Sequence, residues 1–172
     1  MIMPCPLPND SLLQRHANAG AYTDCYTTDI KQAVSQTRFV EAFYSTRVFA
    51  IERLILKWAI NKGSTLSDIQ QLAAGATNTF AAWTVEARTS NQLLLADFKG
   101  RTRSWLMTQP LSENGTSATR LFFGSAFMPR TDPATGQRLS GAGFGSLLWF
   151  HKFYSRVLLA AAASRLRLQR VR

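Results

Sequence analysis

A chain of 172 residues with 46% hydrophobic and 17% charged side chains can bury one hydrophobic core and is too apolar for the disordered class. Its formal net charge of +10 suggests nucleic acid or an anionic membrane as a partner. Four of the arginines, however, fall in the last eight residues, so the charge indicates a basic tail, 166–172, more than a binding groove. We therefore expect no specific nucleic-acid binding and at most a peripheral, charge-driven membrane contact.

The first 20 residues carry three of the six prolines and no sustained hydrophobic period, which predicts a flexible proline-containing arm, 1–20. They lack the basic start and apolar stretch of a signal peptide, and no apolar run reaches about 18 residues, so we expect a cytoplasmic protein. The two cysteines, Cys5 and Cys25, show neither CxxC spacing nor a framework of bridges. With two well-separated histidines as well, no metal site is expected.

The remaining residues, 21–165, are predicted to form a single domain. Alternation in "AYTDCYTTDI" predicts a first strand, and from Thr37 apolar residues recur at three and four, which predicts a short and a longer helix with a break at residues 45–46. A third helix is expected to follow Thr65, whose hydroxyl can cap it while Asp68 occupies the third helical position, and to end before Gly75.

After Thr79 the pattern predicts strands. "FAAWTVEAR", "QLLLADF", "RTRSWLMTQ" and "ATRLFFGSAFM" are separated by "TSN", "KG" and "SENGTS", which are typical hairpin turns. A long connection then leads to a final helix over about 145–168. The sequence thus predicts an α+β domain with about five or more antiparallel strands and a long C-terminal helix.

The charged stretch "ADFKGRTRSW" sets the strand register, because a slip of one residue exchanges the two faces. A three-residue loop with a left-handed Gly100 pairs Leu95 with Arg103 and Leu93 with Trp105. One face then carries the charged residues Glu86, Arg88, Asp97, Arg101, Arg103 and Arg120. The other collects Trp83, Val85, Ala87, Leu94, Ala96, Phe98, Ser104, Leu106, Leu121, Phe123 and Phe127. We interpret the charged face as the outer one.

A two-residue turn at Lys99-Gly100 is the alternative. Arg101, Arg103 and Trp105 would then join the apolar face, where Arg103 could bind an anion. In the preferred register an apolar patch remains outside, formed by Trp105, Met107, Phe122 and Met128. Either the arm or a second subunit would cover this patch, so a homodimer is one of the two expectations.

The segments "FVEAFYSTRVFAIERLIL", "LLLADFKGRTRSWLM", "TRLFFGSAFMPR" and "LLWFHKFYSRVLLAAA", with this order of elements, resemble a bacterial branch of the START-like, Bet v 1-like (SRPBCC) helix-grip superfamily. The resemblance implies a curved antiparallel sheet wrapped around the last helix, with a cavity between them for lipids or other apolar molecules. About five strands stand here where the fuller family has seven.

The expected function is the binding of a small hydrophobic or amphipathic molecule, such as a lipid, in that cavity. Its expected lining is Trp83, Phe98, Ser104, Leu106, Leu121, Phe123, Phe150 and Tyr154, with Arg103 and Trp105 in the alternative register. An enzyme of cyclase, isomerase or hydrolase type is the second hypothesis, with His151, Tyr154 or Asp97 transferring protons. The chain carries no HExxH, GxSxG, P-loop or dinucleotide glycine pattern, and no cofactor is expected.

Overall fold

The computed structural model describes residues 1–46, 65–113, 116–131, 138–139 and 144–169. These residues form an α+β structure with a seven-stranded antiparallel sheet and a long C-terminal helix. The sheet contains β1 (Met3–Pro4), β2 (Tyr22–Ile30), β3 (Thr79–Phe80), β4 (Trp83–Arg88), β5 (Gln92–Asp97), β6 (Thr102–Glu113) and β7 (Thr116–Phe127). A separate pair contains β8 (Arg130–Thr131) and β9 (Arg138–Leu139). The helices are α1 (Gln14–Asn18), α2 (Gln36–Tyr44), α3 (Leu66–Ala74) and α4 (Phe144–Leu168).

The strand order in the sheet is β1-β2-β7-β6-β5-β4-β3, and every neighbouring pair is antiparallel. Strands β4 to β7 are consecutive hairpins, as the turn residues predict, while β2 closes against β7. Two short strands add to the five expected: β1 belongs to the amino-terminal arm, and β3 is separated from β4 at Ala81, whose backbone has φ 51°.

Local signals set the ends of the helices as the sequence predicts. The Thr65 hydroxyl accepts a hydrogen bond from the Asp68 N–H, and the Asp68 carboxylate accepts one from the Thr65 N–H, so α3 begins with a capping box. Gly75 ends it in the left-handed conformation, φ 79°. The expected break at residues 45–46 is also confirmed, since α2 ends at Tyr44. The longer helix predicted to follow lies outside the described residues.

The sheet is covered on both sides. Its helical face packs against α2, α3 and α4 and carries Tyr26, Leu93, Leu95, Leu106, Leu121 and Phe123. Its arm face lies under residues of the arm and carries Cys25, Leu94, Trp105, Met107, Phe122 and Ala126. Trp105 is fully buried there beneath Leu13. The outer apolar patch inferred from the sequence is therefore covered by the arm, one of the two covers that were expected.

The preferred register of the β5–β6 hairpin is wrong by one residue, and the pairing observed is that of the alternative register, in which Arg103 and Trp105 share a face with Leu94 and Ala96. Arg103 pairs with Ala96 and not with Leu95, because the Asp97 side chain accepts the backbone N–H groups of Arg101 and Thr102 and so extends the turn. The predicted left-handed Gly100 is confirmed, φ 65°. Arg103 lies on the face predicted for it, whereas the side chains of β5 lie on the faces opposite to those that the preferred register predicts.

Several predicted face assignments change with this register. Leu94 and Ala96 lie on the arm face with Arg103, and Phe98 is exposed at the turn, with 52% of its surface accessible. A β-bulge between Val85 and Ala87 shifts the alternation in β4, so Ala87 pairs with Leu94 on the arm face. The same shift turns Arg88, expected outside, toward α3, where its guanidinium donates to the Leu72 and Thr77 carbonyls.

Candidate functional site

A row of polar side chains crosses the helical face of the sheet. Asp24 in β2 pairs in register with Ser125 in β7, and Ser125 pairs with Ser104 in β6. The Ser125 hydroxyl donates to Asp24 Oδ1 over 2.5 Å. Ser104 and Ser125 are both buried. These three residues, which we call the polar row, lie beside the apolar row of Tyr26 and Phe123.

Helix α2 adds a phenol to the polar row. Tyr44 is fully buried at the end of α2, and its hydroxyl lies 3.3 Å from the Ser104 hydroxyl. Its ring contacts Phe43 and Phe80, each with a centroid separation of 5.2 Å. Aromatic packing therefore fixes the direction of the Tyr44 hydroxyl toward the sheet.

Trp83 brings a buried donor to the same end of the helical face. It is half-buried, packs against the core cluster and pairs with Phe80 across β3 and β4. Its indole N–H is inaccessible to solvent, and no hydrogen-bond acceptor lies within reach of it in the described part of the chain. A buried polar group without a partner is costly, so such a group calls for an explanation.

A second phenol, that of Tyr26, lies beside the polar row, and its pKa is raised. Burial raises the pKa of Tyr26 to about 12, and the negative charge of Asp24 adds to the effect. Arg156 of α4 lies over the Tyr26 ring at 5.4 Å and partly opposes the rise. Tyr26 therefore remains a neutral phenol at ordinary pH.

The structure brings together part of the predicted lining. Ser104, Leu106, Leu121 and Phe123 are buried on the helical face, and Tyr154 is half-buried against the same core. Phe98 is not among them, because the shifted turn exposes it. The side chains of Phe150 and His151 lie outside the described residues.

The alternative lining, Arg103 and Trp105, lies on the other side of the sheet. Arg103 is ion-paired with Glu86, whose carboxylate also contacts Arg15 Nη2 at 2.6 Å and His16 Nε2 at 2.8 Å. Burial opposes ionisation of Glu86, but the charge of Arg103, the contact and hydrogen bond with His16 and the charge of Arg15 outweigh it and hold the pKa of Glu86 below its usual value. We call these four residues the Glu86 cluster; it joins the arm to the sheet.

Gln92 forms a second anchor of the arm. Its side-chain oxygen accepts the Trp105 indole N–H and the Leu12 backbone N–H, both at 2.9 Å, and its amide nitrogen donates to the Asp10 carbonyl at 3.0 Å. The Trp105 ring thus satisfies its polar atom under the arm and is a structural residue of that face.

Asp97, a weak catalytic candidate from the sequence, has a structural role at the hairpin. Its Oδ1 accepts backbone N–H groups from Arg101 at 2.6 Å and Thr102 at 2.9 Å. Among the described residues no cluster of three or more His, Cys, Asp or Glu side chains could hold a metal ion. Nor is any helix in the described ranges long and apolar enough to cross a membrane.

A separate cleft opens at the far end of the helical face, between α2, α3 and the β4–β5 hairpin. Its volume is about 200 Å³, and Gln36, Leu72, Arg88 and Leu93 contribute to its walls. Ligand pockets commonly measure roughly 300–1,000 Å³. Arg88 also uses its guanidinium to bind the end of α3, so this cleft is a weaker candidate than the polar row.

Sequence reasoning missed Asp24, Ser125 and Tyr44. The pairing of β2 with β7 places Asp24 beside Ser125, and no local signal in β2 identifies its partner strand. The contact between Cys5 and Cys25, whose Sγ atoms are 3.2 Å apart, was missed because the arm was not assigned a strand. Comparison with known proteins adds no relative: no family model matches the chain, and no curated protein does.

Proposed function

We propose that this protein binds a small, largely apolar molecule with a hydroxyl or similar polar end, held between the helical face of the sheet and its helices. The observation that carries the proposal is the polar row, with the Tyr44 hydroxyl beside it. Polar groups inside an apolar core are costly unless they are satisfied, and a few placed polar groups in an apolar lining are what orients a small ligand.

Complementary hydrogen bonding favours a hydroxyl end. The Asp24 carboxylate accepts hydrogen bonds, the serine and tyrosine hydroxyls both donate and accept, and the Trp83 indole N–H donates. A hydroxyl can donate to the Asp24 carboxylate or to a serine or tyrosine oxygen, and it can accept from a serine, tyrosine or indole donor, whereas an anionic end would be repelled by Asp24. The ligand class is therefore an alcohol or phenol on an apolar body.

The arrangement of elements supports a helix-grip domain as the scaffold. An antiparallel sheet of the order β2-β7-β6-β5-β4 with α4 against β2 and β7 is compatible with the sheet and last helix of START-like proteins. In that superfamily the cavity lies between these two elements, where the polar row lies in this chain. The family assignment is part of the proposal.

Displacement of a fluorescent probe tests the binding. N-phenyl-1-naphthylamine would be bound first, and 1-naphthol and naphthalene would compete for it, because these two competitors differ only by the hydroxyl. We expect 1-naphthol to compete at lower concentration. Ser104→Ala should reduce this advantage about threefold to tenfold, the equivalent of one hydrogen bond of roughly 0.7–1.4 kcal/mol.

A matched control is available on the same face. Thr28 is buried and its hydroxyl has no hydrogen-bond partner among the described residues, so Thr28→Val alters a buried hydroxyl that lies outside the polar row. It should leave the ratio of the two competitors unchanged. Equal competition by both molecules in the wild-type protein, or equal effects of the two variants, would contradict the proposal.

A further inference from the structure

Cys5 and Cys25 lie opposite each other on two antiparallel chains. Met3 pairs with Thr27 and Pro4 with Tyr26, and the Cys5 N–H donates to the Cys25 carbonyl at 3.0 Å, which continues the register by one residue. Their Sγ atoms are 3.2 Å apart. Residues opposite each other in an antiparallel pair have Cα atoms about 4.5–5.5 Å apart, within the range of about 4.4–6.8 Å that a disulfide spans.

The two thiols have different environments. Cys5 is half-buried and Cys25 is buried. The hydrogen-bond contact with Cys25 lowers the pKa of the Cys5 thiol, and the same contact together with burial raises the pKa of Cys25. Reactivity belongs to the thiolate form, so Cys5 combines access from solvent with the greater tendency to ionise.

We propose that Cys5 and Cys25 are a reversible redox pair whose disulfide fastens the arm to the arm face of the sheet. The arm residues Leu7, Leu12 and Leu13 pack there against the cluster around Trp105. Strand β1 has only two residues, so a covalent bond adds substantially to its attachment. This proposal is independent of the ligand proposed for the helical face.

The oxidant is a peroxide, and each step balances. The Cys5 thiolate attacks one peroxide oxygen: the S–O bond forms, the O–O bond breaks, and hydroxide leaves and takes up a proton to become water. Cys25 then attacks the sulfenic sulfur: the S–S bond forms, the S–O bond breaks, and the Cys25 proton leaves with the second hydroxide as water. Two thiols are oxidised, and one hydrogen peroxide is reduced to two waters. A dithiol reductant reverses the reaction.

Thiol counting on the full-length protein tests the chemistry. Reduced protein, denatured and treated with N-ethylmaleimide, should gain two labels by intact mass. Protein treated with one equivalent of hydrogen peroxide should gain none, and dithiothreitol should restore both. Labelling is unaffected by oxidation of methionine, so this readout is specific to the cysteines. Retention of both labels after peroxide, or disulfide found only between two chains, would overturn the proposal.

The melting temperature and tryptic cleavage test whether the disulfide holds the arm on the sheet. A cross-link that closes a loop of about 20 residues should raise the melting temperature by about 6–12 °C in a chain of this size. It should also slow tryptic cleavage after Arg15, which lies on the arm. Cys5→Ser should abolish both effects of peroxide, and this variant is mild because Cys5 is half-buried. If the disulfide forms while melting and cleavage stay unchanged, the proposed fastening is wrong.

Discussion

Replacement of Glu86 by glutamine tests the arrangement of charges beneath the arm. Glu86 is 23% exposed, and its three partners Arg103, His16 and Arg15 are 14%, 12% and 49% exposed. Breaking a buried ion pair costs roughly 3–5 kcal/mol, and a surface pair is worth about 0–1 kcal/mol. Glu86 lies between these limits, and its loss leaves the Arg103 and Arg15 guanidinium groups without their carboxylate, so we expect Glu86→Gln to lower the free energy of unfolding by about 2–3 kcal/mol.

The variants of this region should differ in how much unfolding free energy they lose. Arg103→Gln should cost about 1–2 kcal/mol, less than Glu86→Gln, because Glu86 keeps its contacts with Arg15 and His16. Arg101→Gln is the matched control two residues away. Arg101 is exposed and contributes its backbone N–H to the turn, so this variant should change stability by no more than about 0.5 kcal/mol.

Urea unfolding at neutral pH provides the measurement, with the double variant Glu86→Gln/Arg103→Gln completing a mutant cycle. Because both changes disrupt one ion pair, the double variant should cost less than the sum of the two single variants. A Glu86→Gln variant as stable as Arg101→Gln, or strictly additive effects in the cycle, would refute the buried cluster. Glu86 and Arg103 would then be ordinary solvated cross-strand charges.

The dependence of stability on pH in the acidic range tests the ion pairs of Glu86 independently. The pKa of Glu86 is lowered in the folded protein, so its contribution is present above the unfolded-state pKa of about 4.3 and is lost as the pH falls through the folded-state pKa. The stability difference between wild type and Glu86→Gln should therefore shrink below about pH 4. A difference that stays constant down to pH 2 would contradict the pairing.

Three further variants test other elements. Gly124→Ala should lose about 1–3 kcal/mol in thermal unfolding, since an added Cβ would lie 2.9 Å from the Trp105 ring and 3.0 Å from a backbone oxygen; an unchanged melting temperature would contradict the close packing. Thr65→Ala should cost about 1 kcal/mol through the lost cap of α3, whereas the exposed Ser67→Ala should be neutral, and equal effects would argue against the cap. Deletion of residues 167–172 should leave the melting temperature unchanged and abolish most low-salt binding to anionic vesicles; retained, salt-resistant binding would contradict the tail as its source.

Locally encoded features could be read from the sequence. The capping box of α3 depends on Thr65 and Asp68, and its end depends on Gly75, so each signal lies within a few residues of the feature that it controls. The same holds for the left-handed Gly100. The strands were predictable for a similar reason, because alternation is a property of each segment by itself.

The register of β5 could not be read in this way. The Asp97 side chain accepts two backbone N–H groups beyond Gly100 and adds a residue to the loop. Because a change of one residue in the turn moves every side chain of the strand to the other face, this choice decides the orientation of all of β5. The β-bulge near Glu86 places the side chains of Ala87 and Arg88 on the faces opposite to those predicted. In both places a side-chain or backbone irregularity overrides the strict alternation on which the prediction relied.

The candidate site was predictable only where it coincides with the apolar pattern. Ser104, Leu106, Leu121 and Phe123 follow from alternation and lie on the helical face. Asp24 and Ser125 reach that face through the pairing of β2 with β7, which joins segments about 100 residues apart. Ser104 could be placed because apolar residues of its own strand share its face, whereas the pattern of β2 alone does not show that the face carrying Asp24 is covered.

The arm behaves as a third layer of the structure, and its anchors differ in chemistry. Cys5 is held by strand pairing, residues 10–12 by the Gln92 amide and residues 15–16 by the charge of Glu86. Only the last depends on ionisation, and only the first contains a pair of thiols. Because the anchors follow one another along the arm, loss of one releases the chain around it while the others remain. Redox conditions and acid therefore act on opposite ends of the arm, and neither acts directly on the Leu13 contact with Trp105 between them.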